Sequence, residues 1–355
     1  FVFVHPDGAL VGATPERHVS ARDSTVLMNP ISGTYRHGPG GSDVAELLAF
    51  LGDAKETDEL FMVVDEELKM MSAVCERGGR VIGPYLKEMS HLTHTEYLLE
   101  GTSTLDVRDI LRHTMFAPTV TGSPIENAAR VIARYESGGR GYYSGVLALI
   151  GHDAAGGQTL DAPILIRMCE ISPSGSVRAS VGATLVRGSS PAGEVAETHA
   201  KLAGLRSALD AGGRGIPAHS GNAAQVPVVA DSLARRNARL ARFWVDPQSH
   251  EGAPIPDDLA GKHAVVVDFE DEWTAMLAHQ LRHLGMKVDV QRWERLEVGA
   301  GTDLVVAGPG PGDPCDDDDP RIAAAGSLLA TRIGAGAPTV AICLSHQVLA
   351  RQLGL

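Results

Sequence analysis

The chain lacks several features that mark secreted, metal-binding or membrane proteins. Its 355 residues contain only four cysteines, at positions 75, 169, 315 and 343, with no CxxC pair and no spacing typical of metal ligands. This pattern excludes a dense disulfide framework and a zinc-finger type of site. No uninterrupted apolar run approaches the roughly eighteen residues that a membrane-spanning helix needs. We therefore expect a soluble protein of the reducing cytoplasm, with no membrane partner.

Basic residues are scarce as well. The chain has 31 lysines and arginines against 44 aspartates and glutamates, a net charge of −13, and the basic residues form no cluster. Because nucleic acids are bound mainly through clustered basic side chains, we expect no nucleic-acid partner. Small molecules or proteins are the expected partners. With 44% hydrophobic residues, the chain has enough apolar surface for ordinary cores.

Composition divides the chain into two domains and a connection. Residues 1–211 mix alternating apolar stretches with helix-like patterns, which predicts an α+β domain. Residues 212–262 are rich in Gly, Pro, Ala, Ser and Asn, typical of an interdomain linker, with a short basic helical piece at 232–243. Residues 263–355 alternate buried strands with helices, which predicts a doubly wound parallel α/β sheet.

Both domains are expected to be incomplete in this sequence. The chain opens on the strand-like FVFVHPDGALVGA, without an initiator Met or a signal-peptide pattern, so we expect the N-terminal part of the first domain to be missing. The second domain offers only three or four strands before Leu355, fewer than such a sheet usually has. We therefore expect this α/β domain to be truncated at its C-terminal side.

Periodicity also predicts individual elements of the first domain. Helix-like spacing of apolar residues covers 43–51, 55–75, 125–135 and 193–209. Alternation of apolar and polar residues predicts strands over 1–4, 162–167 and 176–183. These elements are expected to position the polar side chains of the first domain.

One cysteine of the second domain lies at a sharp strand-to-helix turn. Cys343 follows an apolar strand in AICLSHQ, and the residues after it favour a helix. Such an elbow exposes a nucleophile at a helix N-terminus, where a thiolate and a developing oxyanion are both stabilised. The alternative is that Cys343 is a small buried apolar residue, as is common for free cysteines. The Gly/Pro turn AGPGPGDP after the preceding strand favours a site at this edge.

Residues 263–355 resemble the first half of a class I glutamine amidotransferase domain, through the GPGP loop and the CLSHQ elbow. The resemblance implies that Cys343 attacks the amide of glutamine and releases ammonia, activated by a His that a carboxylate orients. The other implied site residues are Gly310 and the Leu344 N–H, which form the oxyanion hole, and Gln347, which contacts glutamine. Ser345 stands where the family has Gly, and the His and Glu of the triad are expected beyond Leu355.

Two helix-like stretches of the first domain carry acidic residues at helical spacing. Glu194, Glu197 and Lys201 are three and four residues apart in GEVAETHAK, and Glu56 and Glu59 are three apart in DAKETDEL. Each set is compatible with a solvated helix face. If the two faces converge, however, four carboxylates need a cation, and Mg²⁺ suits such oxygen ligands.

Residues 1–211 carry seven motifs that resemble those of the chorismate-utilising enzymes, in the same order. TPERH is similar to the family's SPERF, PISGTYRHG to PIAGTRPRG, DAKETDEL to DEKERAEH, and HLTHTEYLLEG to VMHIVSEVEG. Further along, TVTGSP resembles TVSGAP, RGYYSG resembles RGPYGG, and PILIRMCEI, SVGATL and ETHAK resemble AIAIRT, AGAGI and ETLNK. The resemblance implies an α+β fold of packed antiparallel sheets with helices around them, and a Mg²⁺-dependent site for chorismate.

The same resemblance implies roles for individual residues. Glu16 would be the general acid that protonates the departing hydroxyl, which requires a pKa raised by a dry or anionic site. The implied metal ligands are Glu59 and Glu197, with Glu56 and Glu194 in or beside the same shell. The implied substrate-binding residues are Thr34 at the ring, Tyr143, Arg167 and Lys201 on carboxylates, and Gly182 through its backbone N–H. His94 would be catalytic and would face the reacting side chain; the alternative is a satisfied core histidine.

Departures from anthranilate synthases narrow the prediction. Where those enzymes read MLVDLGRNDLGRVC, this chain reads MVVDEELKMMSAVC, with Glu67, Leu68 and Lys69 in place of an Arg-Asn-Asp stretch. Thr184 stands where the family has Gly, and Ile125 stands where it has Lys. With the synthase domain first and the amidotransferase second, the chain resembles the 2-amino-2-deoxyisochorismate synthases of phenazine biosynthesis, which aminate chorismate without eliminating pyruvate.

The resemblance therefore implies glutamine- and Mg²⁺-dependent amination of chorismate, with ammonia passing from the second domain to the first, and a homodimer. The nearest alternative is an anthranilate synthase, in which pyruvate elimination follows the same amination. An isochorismate-forming or hydrolytic enzyme is disfavoured, because an amidotransferase has no use when water is the nucleophile. The remote alternative is an inactive scaffold, and the presence of Glu16, Glu59, Glu197 and Cys343 argues against it.

Overall fold

The structure is a computed structural model that describes residues 1–38, 41–89, 91–211, 223–246 and 255–355. Its contacts divide the chain into two compact units, Phe1–Val245 and Asp246–Leu355. The linker predicted at 212–262 lies partly outside the described residues, because 212–222 and 247–254 are not among them. Within the described ranges, no helix has both the length and the apolarity to cross a bilayer.

The first unit contains two antiparallel sheets in the part of the chain that the structure describes. In chain order the strands are β1 (Val2–His5), β2 (Gly8–Gly12), β3 (Arg17–Arg22), β4 (Thr25–Met28), β5 (Ile31–Arg36), β6 (Arg80–Glu88), β7 (Leu92–Thr102), β8 (Leu149–His152), β9 (Gln158–Pro163), β10 (Met168–Ile171) and β11 (Val177–Ala179). One sheet has the order β1-β2-β10-β11 and the other β5-β7-β4-β3-β9-β8, with β6 also paired to β7. The long β7 organises the larger sheet, because β4, β5 and β6 all pair with it.

Helices surround these sheets. In chain order they are α1 (Val44–Gly52), α2 (Ala54–Val74), α3 (Val107–Thr114), α4 (Pro118–Thr121), α5 (Ile125–Tyr135), α6 (Pro191–Asp210), α7 (Pro227–Arg236) and α8 (Arg242–Val245), with 3-10 turns at Ala223–Gln225 and Asn237–Arg239. The four helices predicted from periodicity correspond to α1, α2, α5 and α6. Asp43, Asp53 and Ser190 start three of these helices, because their side chains accept hydrogen bonds from first-turn N–H groups.

Two strand predictions in the first unit are wrong in extent. Residues 164–167 belong to neither β9 nor β10, and Arg167 turns the backbone with a positive φ of 50°. The pattern at 176–183 pairs only over Val177–Ala179 and then continues as a loop. Alternation describes side chains and not backbone torsions, so it does not reveal such breaks. Both breaks carry residues of the candidate site.

Helix α2 is the most buried helix element beside the larger sheet. Leu60, Val63 and Val64 are fully buried, and the helix packs against β5 and β7. Burying one such side chain contributes on the order of 1.5–3 kcal/mol. The same helix also buries acidic side chains, including Glu59 and Glu67. Each of these acids needs a partner or a proton in the interior.

The described end of the predicted linker packs on the first unit. Val229 and Leu233 of α7 form a buried cluster with Leu47 and Leu51 of α1. Arg236 is buried as well, and its Nη2 donates to the Leu51 carbonyl oxygen at 3.1 Å. Composition does not reveal this packing, because it does not show which distant residues so short a helix contacts.

The second unit has a parallel sheet flanked by helices. Its elements are β12 (His263–Asp268), α9 (Trp273–His283), β13 (Lys287–Arg292), a 3-10 turn (Trp293–Arg295), β14 (Leu304–Ala307), α10 (Pro320–Gly334), β15 (Thr339–Ala341) and α11 (Leu344–Gln352). The strand order is β13-β12-β14-β15, and all pairs are parallel. Val265, Val267, Val305 and Leu329 lie in its core. The predicted α+β and α/β classes of the two domains are both confirmed.

Candidate active site

The first unit contains a cavity of about 1230 Å³. Residues from β5, β7, α2, α4 and α6, and from the loops after β9 and β11, line it. The lining residues include these predicted site residues: Glu16, Thr34, Glu59, His94, Tyr143, Arg167, Gly182 and Lys201. A cavity of this size is large enough for a small-molecule substrate. Glu56, Glu194 and Glu197 are not among its lining residues.

Glu16 is a buried acid at this cavity. It lies just before β3, its side chain is 3% exposed, and its Oε1 accepts a hydrogen bond from Thr119 Oγ1 at 2.6 Å. Burial raises the pKa of Glu16 to about 7, although the bond from Thr119 opposes the rise. About half of Glu16 therefore carries a proton near neutral pH.

A second buried acid lies within electrostatic reach of Glu16. Glu67 of α2 is 1% exposed, and its Oε2 has no hydrogen-bond partner. Burial first, and then the charge of Glu16, raise the pKa of Glu67 well above its ordinary value. Both causes favour the protonated form of Glu67.

His94, on β7, uses both ring nitrogens in hydrogen bonds. Its Nδ1 lies 2.7 Å from the Gly33 carbonyl oxygen, and its Nε2 lies 3.0 Å from Arg167 Nη2. A guanidinium only donates, so Nε2 accepts and Nδ1 carries the hydrogen. Burial, and then the charge of Arg167, lower the pKa of His94 to about 3, so the ring is neutral. His94 thus orients Arg167 while its ring lines the cavity.

Arg167 and Lys201 supply positive charge at the cavity. Lys201 Nζ donates to the Gly182 carbonyl oxygen at 3.1 Å and lies 2.5 Å from Glu197 Oε1. A Cβ on Gly182 would lie 2.9 Å from Tyr143 Oη, so only glycine lets the phenol approach the backbone here. Two cations beside a tyrosine hydroxyl form a surface suited to carboxylates.

Four glutamates of α2 and α6 converge beside the cavity, and we call them the carboxylate cluster: Glu56, Glu59, Glu194 and Glu197. Lys55 joins the two helices, because its Nζ lies 2.8 Å from Glu59 Oε2 and 3.5 Å from Glu194 Oε1. Burial raises the pKa of Glu56. Burial lowers the pKa of Lys55, but the Glu59 and Glu56 carboxylates raise it by more. The pKa of Lys55 therefore lies above its ordinary value. The two acidic faces are therefore not solvated.

Strand β5 holds the acids of α2 in place. Ser32 Oγ donates to Glu59 Oε1 at 2.8 Å, and the Thr34 N–H donates to Glu56 Oε2 at 3.2 Å. Between them, Gly33 has a φ of +74°, and a Cβ there would lie 2.9 Å from Glu56 Oε2. Glycine is required both for this torsion and for this close approach. The PISGTYRHG motif thus shapes one side of the carboxylate cluster.

The side chains of this cluster are of the type that binds a metal ion, but their present arrangement does not coordinate one. As they stand, the described residues hold no group of three or more His, Cys, Asp or Glu side chains that could coordinate one ion. Lys55 and Lys201 instead pair with the carboxylates. The four carboxylates outnumber the two lysines, and the buried Glu194 Oε2 has no hydrogen-bond partner. The excess negative charge and the unpartnered carboxylate oxygen suit Mg²⁺, provided that Lys55 and Lys201 move away from the carboxylates.

In the second unit, Cys343 forms the predicted elbow. It follows β15, precedes α11, is exposed and has a φ of +52°. Such a strained torsion at a strand-to-helix turn is typical of nucleophiles that are held out of a sheet. Leu344 begins α11, whose first N–H groups have no intrahelical acceptors. Gln347 lies one turn further and is exposed.

The GPGP loop is tied to this elbow. Ser345 is fully buried, and its Oγ donates to the Gly308 carbonyl oxygen at 2.6 Å. A Cβ on Gly310 would lie 2.7 Å from the Phe269 carbonyl oxygen, so the loop packs closely on the end of β12. The serine that departs from the family's Gly therefore has a clear structural partner.

Three residues of the site received no role from the sequence: Lys55, Thr119 and Ser32. Lys55 stands four positions before Glu59, a spacing that favours an ion pair on a helix. Thr119 and Ser32 lie inside the quoted motifs TVTGSP and PISGTYRHG. Their partners are distant in sequence, so no local pattern reveals the contacts.

Comparison with known proteins identifies the family. Residues 1–207 match the family described as chorismate binding enzyme, and residues 265–355 match glutamine amidotransferase class-I. The first match covers more than half of the chain, so the chain belongs to the chorismate binding enzymes. A class I glutamine amidotransferase domain follows on the same chain. Both resemblances drawn from the motifs are confirmed.

Three curated relatives align with almost the whole chain. The chain is 52% identical over 346 residues to "Anthranilate synthase, phenazine specific" of Pseudomonas chlororaphis, which covers 97% of this chain and 53% of that protein. It is 31% identical over 353 residues to "Anthranilate synthase" of Azospirillum brasilense, at 97% and 42% coverage. The chain spans about half the length of the curated relatives it matches.

Two solved structures resemble a little more than half of the chain. The menaquinone-specific isochorismate synthase of Escherichia coli is 26% identical, with a TM-score of 0.50, covering 57% of this chain and 46% of that chain. A 2,3-dihydroxybenzoate-specific isochorismate synthase of Bacillus anthracis is 23% identical, with a TM-score of 0.51, covering 59% and 56%. The second likeness concerns the fold alone.

Proposed function

We propose that the protein transfers the amide nitrogen of glutamine to chorismate in a Mg²⁺-dependent reaction that yields 2-amino-2-deoxyisochorismate. The observation that carries the proposal is the buried Glu16, with a pKa raised to about 7, in one cavity with Arg167 and Lys201. A proton donor and two cations suit a dicarboxylate that loses a hydroxyl. The 52% identity to a phenazine-specific anthranilate synthase supports this choice of substrate.

Glu16 acts as the general acid in this proposal. It gives its proton to the 4-hydroxyl of chorismate, the C–O bond breaks, and water leaves as ammonia bonds to carbon 2. In this proposal the transferred proton is placed on Oε2, because Oε1 accepts the hydrogen bond from Thr119. Proton transfer from a positioned acid accelerates such steps typically about 10²–10⁴-fold.

The cations and the tyrosine bind the substrate. Arg167, oriented by His94, and Lys201 bind the carboxylates, and Tyr143 adds a hydroxyl donor. Gly182 offers its N–H beside Tyr143, and Thr34 contacts the ring. His94 keeps a neutral ring against the reacting side chain, so in this proposal it positions Arg167 and transfers no proton.

The carboxylate cluster is the proposed Mg²⁺ site. Glu59 and Glu197 are the ligands, with Glu56 and Glu194 in or beside the same shell. When bound there, Mg²⁺ supplies positive charge that neutralises a substrate carboxylate. Glu59 is the member of the cluster that lines the cavity, so it connects this site to the substrate.

The second unit supplies the ammonia. Cys343 Sγ attacks the amide carbon of glutamine, which releases ammonia and leaves a thioester that water hydrolyses. The N–H groups of Leu344 and Gly310 stabilise the oxyanion, and Gln347 contacts glutamine. Ser345 keeps the elbow and the GPGP loop together. We further propose a homodimer, as the family resemblance implies, and a cytoplasmic location, which the sparse cysteines favour.

An anthranilate synthase is the second candidate, because relatives that the chain matches are named anthranilate synthases. The two candidates differ only in whether pyruvate leaves after amination. The full-length protein is incubated with chorismate, glutamine and Mg²⁺, and pyruvate release and anthranilate fluorescence are followed. Chorismate consumption without pyruvate supports the proposal. Stoichiometric pyruvate with anthranilate establishes the second candidate, and no consumption contradicts both.

A further inference from the structure

Lys55 is held by three carboxylates of the cluster at once. Its Nζ lies 2.8 Å from Glu59 Oε2, 3.0 Å from Glu56 Oε1 and 3.5 Å from Glu194 Oε1. The side chain of Lys55 is 15% exposed, and that of Glu59 is 5% exposed. One ammonium group thus takes the central position among acids from two helices.

Local structure fixes Lys55 in this position. Asp53 caps α2 and accepts from the Lys55 N–H at 2.7 Å, which places Lys55 one helical turn before Glu59. Gly188 lies against the lysine stem, and a Cβ there would come within 3.0 Å of Lys55 Cβ. The loop before α6 therefore packs on the aliphatic part while the ammonium faces the carboxylates.

A divalent cation and this ammonium compete for the same oxygens. Mg²⁺ binds carboxylate oxygens at about 2.0–2.1 Å, so an ion on Glu59 would come within a few ångströms of the ammonium in its present place. Two positive charges at such a distance repel each other in a site that excludes most water. The lysine has to swing away before the ligands can close on the metal.

We propose that Lys55 is an internal cation that occupies the carboxylate cluster in the metal-free protein and is displaced when Mg²⁺ binds. The proposal rests on the proposed function for the identity of the metal site. Lys55 keeps Glu56, Glu59 and Glu194 from repelling one another while the metal is absent. It weakens metal binding, because the metal has to displace the ammonium from these carboxylates. The lysine therefore sets the metal concentration at which the site fills.

The test uses Mn²⁺ as a paramagnetic substitute for Mg²⁺ and the full-length protein. Free Mn²⁺ is measured by electron paramagnetic resonance during titration of wild type, Lys55→Met and Lys55→Gln. Both variants remove the charge, and Lys55→Gln retains polarity in case Lys55→Met does not fold. We expect Mn²⁺ to bind the variants at least about tenfold more tightly than wild type. We also expect a lower Tm without metal, and a larger rise of Tm on adding Mn²⁺.

Lys87→Met is the matched control, because it also removes a lysine charge, but the carboxylate paired with Lys87 at 3.1 Å is Glu96, which is not a member of the cluster. Its Mn²⁺ affinity is expected to equal that of wild type. Equal or weaker Mn²⁺ binding by the Lys55 variants, with binding by wild type intact, overturns the role of Lys55 and leaves the metal site standing. Absence of Mn²⁺ binding in wild type and all variants overturns both this proposal and the proposed Mg²⁺ site.

Discussion

Thr119 donates its hydroxyl hydrogen to Glu16, 103 positions away in the chain, across an Oγ1–Oε1 distance of 2.6 Å. The bond opposes the effect of burial, and the balance leaves the pKa of Glu16 at about 7. A general acid is most useful when its pKa lies near the working pH. Helix α4 and the segment before β3 therefore set the chemistry of this carboxyl together.

Replacing Glu16 by Gln should remove the proton donor while keeping its shape. We expect chorismate amination to fall by about 10²–10⁴-fold, with glutamine hydrolysis retained by the second unit. The measurement is chorismate consumption with ammonium chloride as the nitrogen source, beside glutamate release from glutamine. Full amination by Glu16→Gln would show that another group is the acid.

Thr119→Val should remove one hydrogen bond and leave the volume nearly unchanged. Because that bond lowers the pKa of Glu16, its loss should raise this pKa above about 7. The alkaline limb of the pH–rate profile should move to higher pH, and the maximal rate should fall as the carboxyl loses its fixed orientation. Thr119→Ser keeps the hydroxyl and serves as the control. An unmoved alkaline limb in Thr119→Val would contradict this account.

The stability of the protein should depend on pH through Glu16. Its pKa is higher in the folded chain, about 7, than the ordinary value of 4.5, so the folded state binds the proton more tightly. Protonated Glu16 adds about 3 kcal/mol to the free energy of unfolding. This contribution is fully present below about pH 4.5 and is lost as the pH rises through about 7. Glu16→Gln cannot ionise, so its free energy of unfolding should rise relative to wild type across that window. Urea unfolding at about pH 5 and about pH 8.5 measures the difference; an equal difference at both would refute the shift.

Cys343→Ala should separate the two activities. Without the thiol, glutamine hydrolysis and glutamine-dependent amination should be lost, while amination with ammonium chloride continues. Cys315→Ala is the control, because Cys315 is also exposed but lies outside the elbow. Glutamine-dependent amination that survives in Cys343→Ala would exclude this cysteine as the nucleophile.

Leu233→Ala should destabilise the first unit, although the sequence places this residue in a linker. Leu233 is 6% exposed and belongs to a cluster with Leu47 and Leu51, so its truncation should lower the free energy of unfolding by about 2–5 kcal/mol. Leu209→Ala, at a side chain that is 58% exposed, should change it by less than about 0.5 kcal/mol. Similar effects of the two substitutions would contradict the packing of α7 on the first unit.

Much of the fold was accessible from local patterns. Periodicity locates α2 and α6, because their apolar and acidic residues recur at helical spacing, and strand-helix alternation reveals the parallel sheet around Cys343. The motifs also name most lining residues of the cavity. These features depend on neighbours in sequence, so the sequence alone predicts them.

Long-range contacts and backbone torsions were not accessible in this way. Spacing leaves open whether Glu56 and Glu194 meet, and the structure brings both to Lys55. The positive φ of Arg167 breaks a stretch whose alternation predicts one strand. The pKa of Glu16 depends on burial by the whole unit and on Thr119 from a distant helix. No local pattern contains this information.

The central claim is that the amide nitrogen of glutamine is added to chorismate and that the enolpyruvyl group stays on the product. Full-length protein with Mg²⁺, chorismate and glutamine labelled with nitrogen-15 at the amide tests it most directly by mass spectrometry. The account predicts a labelled amino-chorismate species that retains its enolpyruvyl group, with no pyruvate released. A labelled aromatic amine with stoichiometric pyruvate, or an unlabelled product, would contradict it.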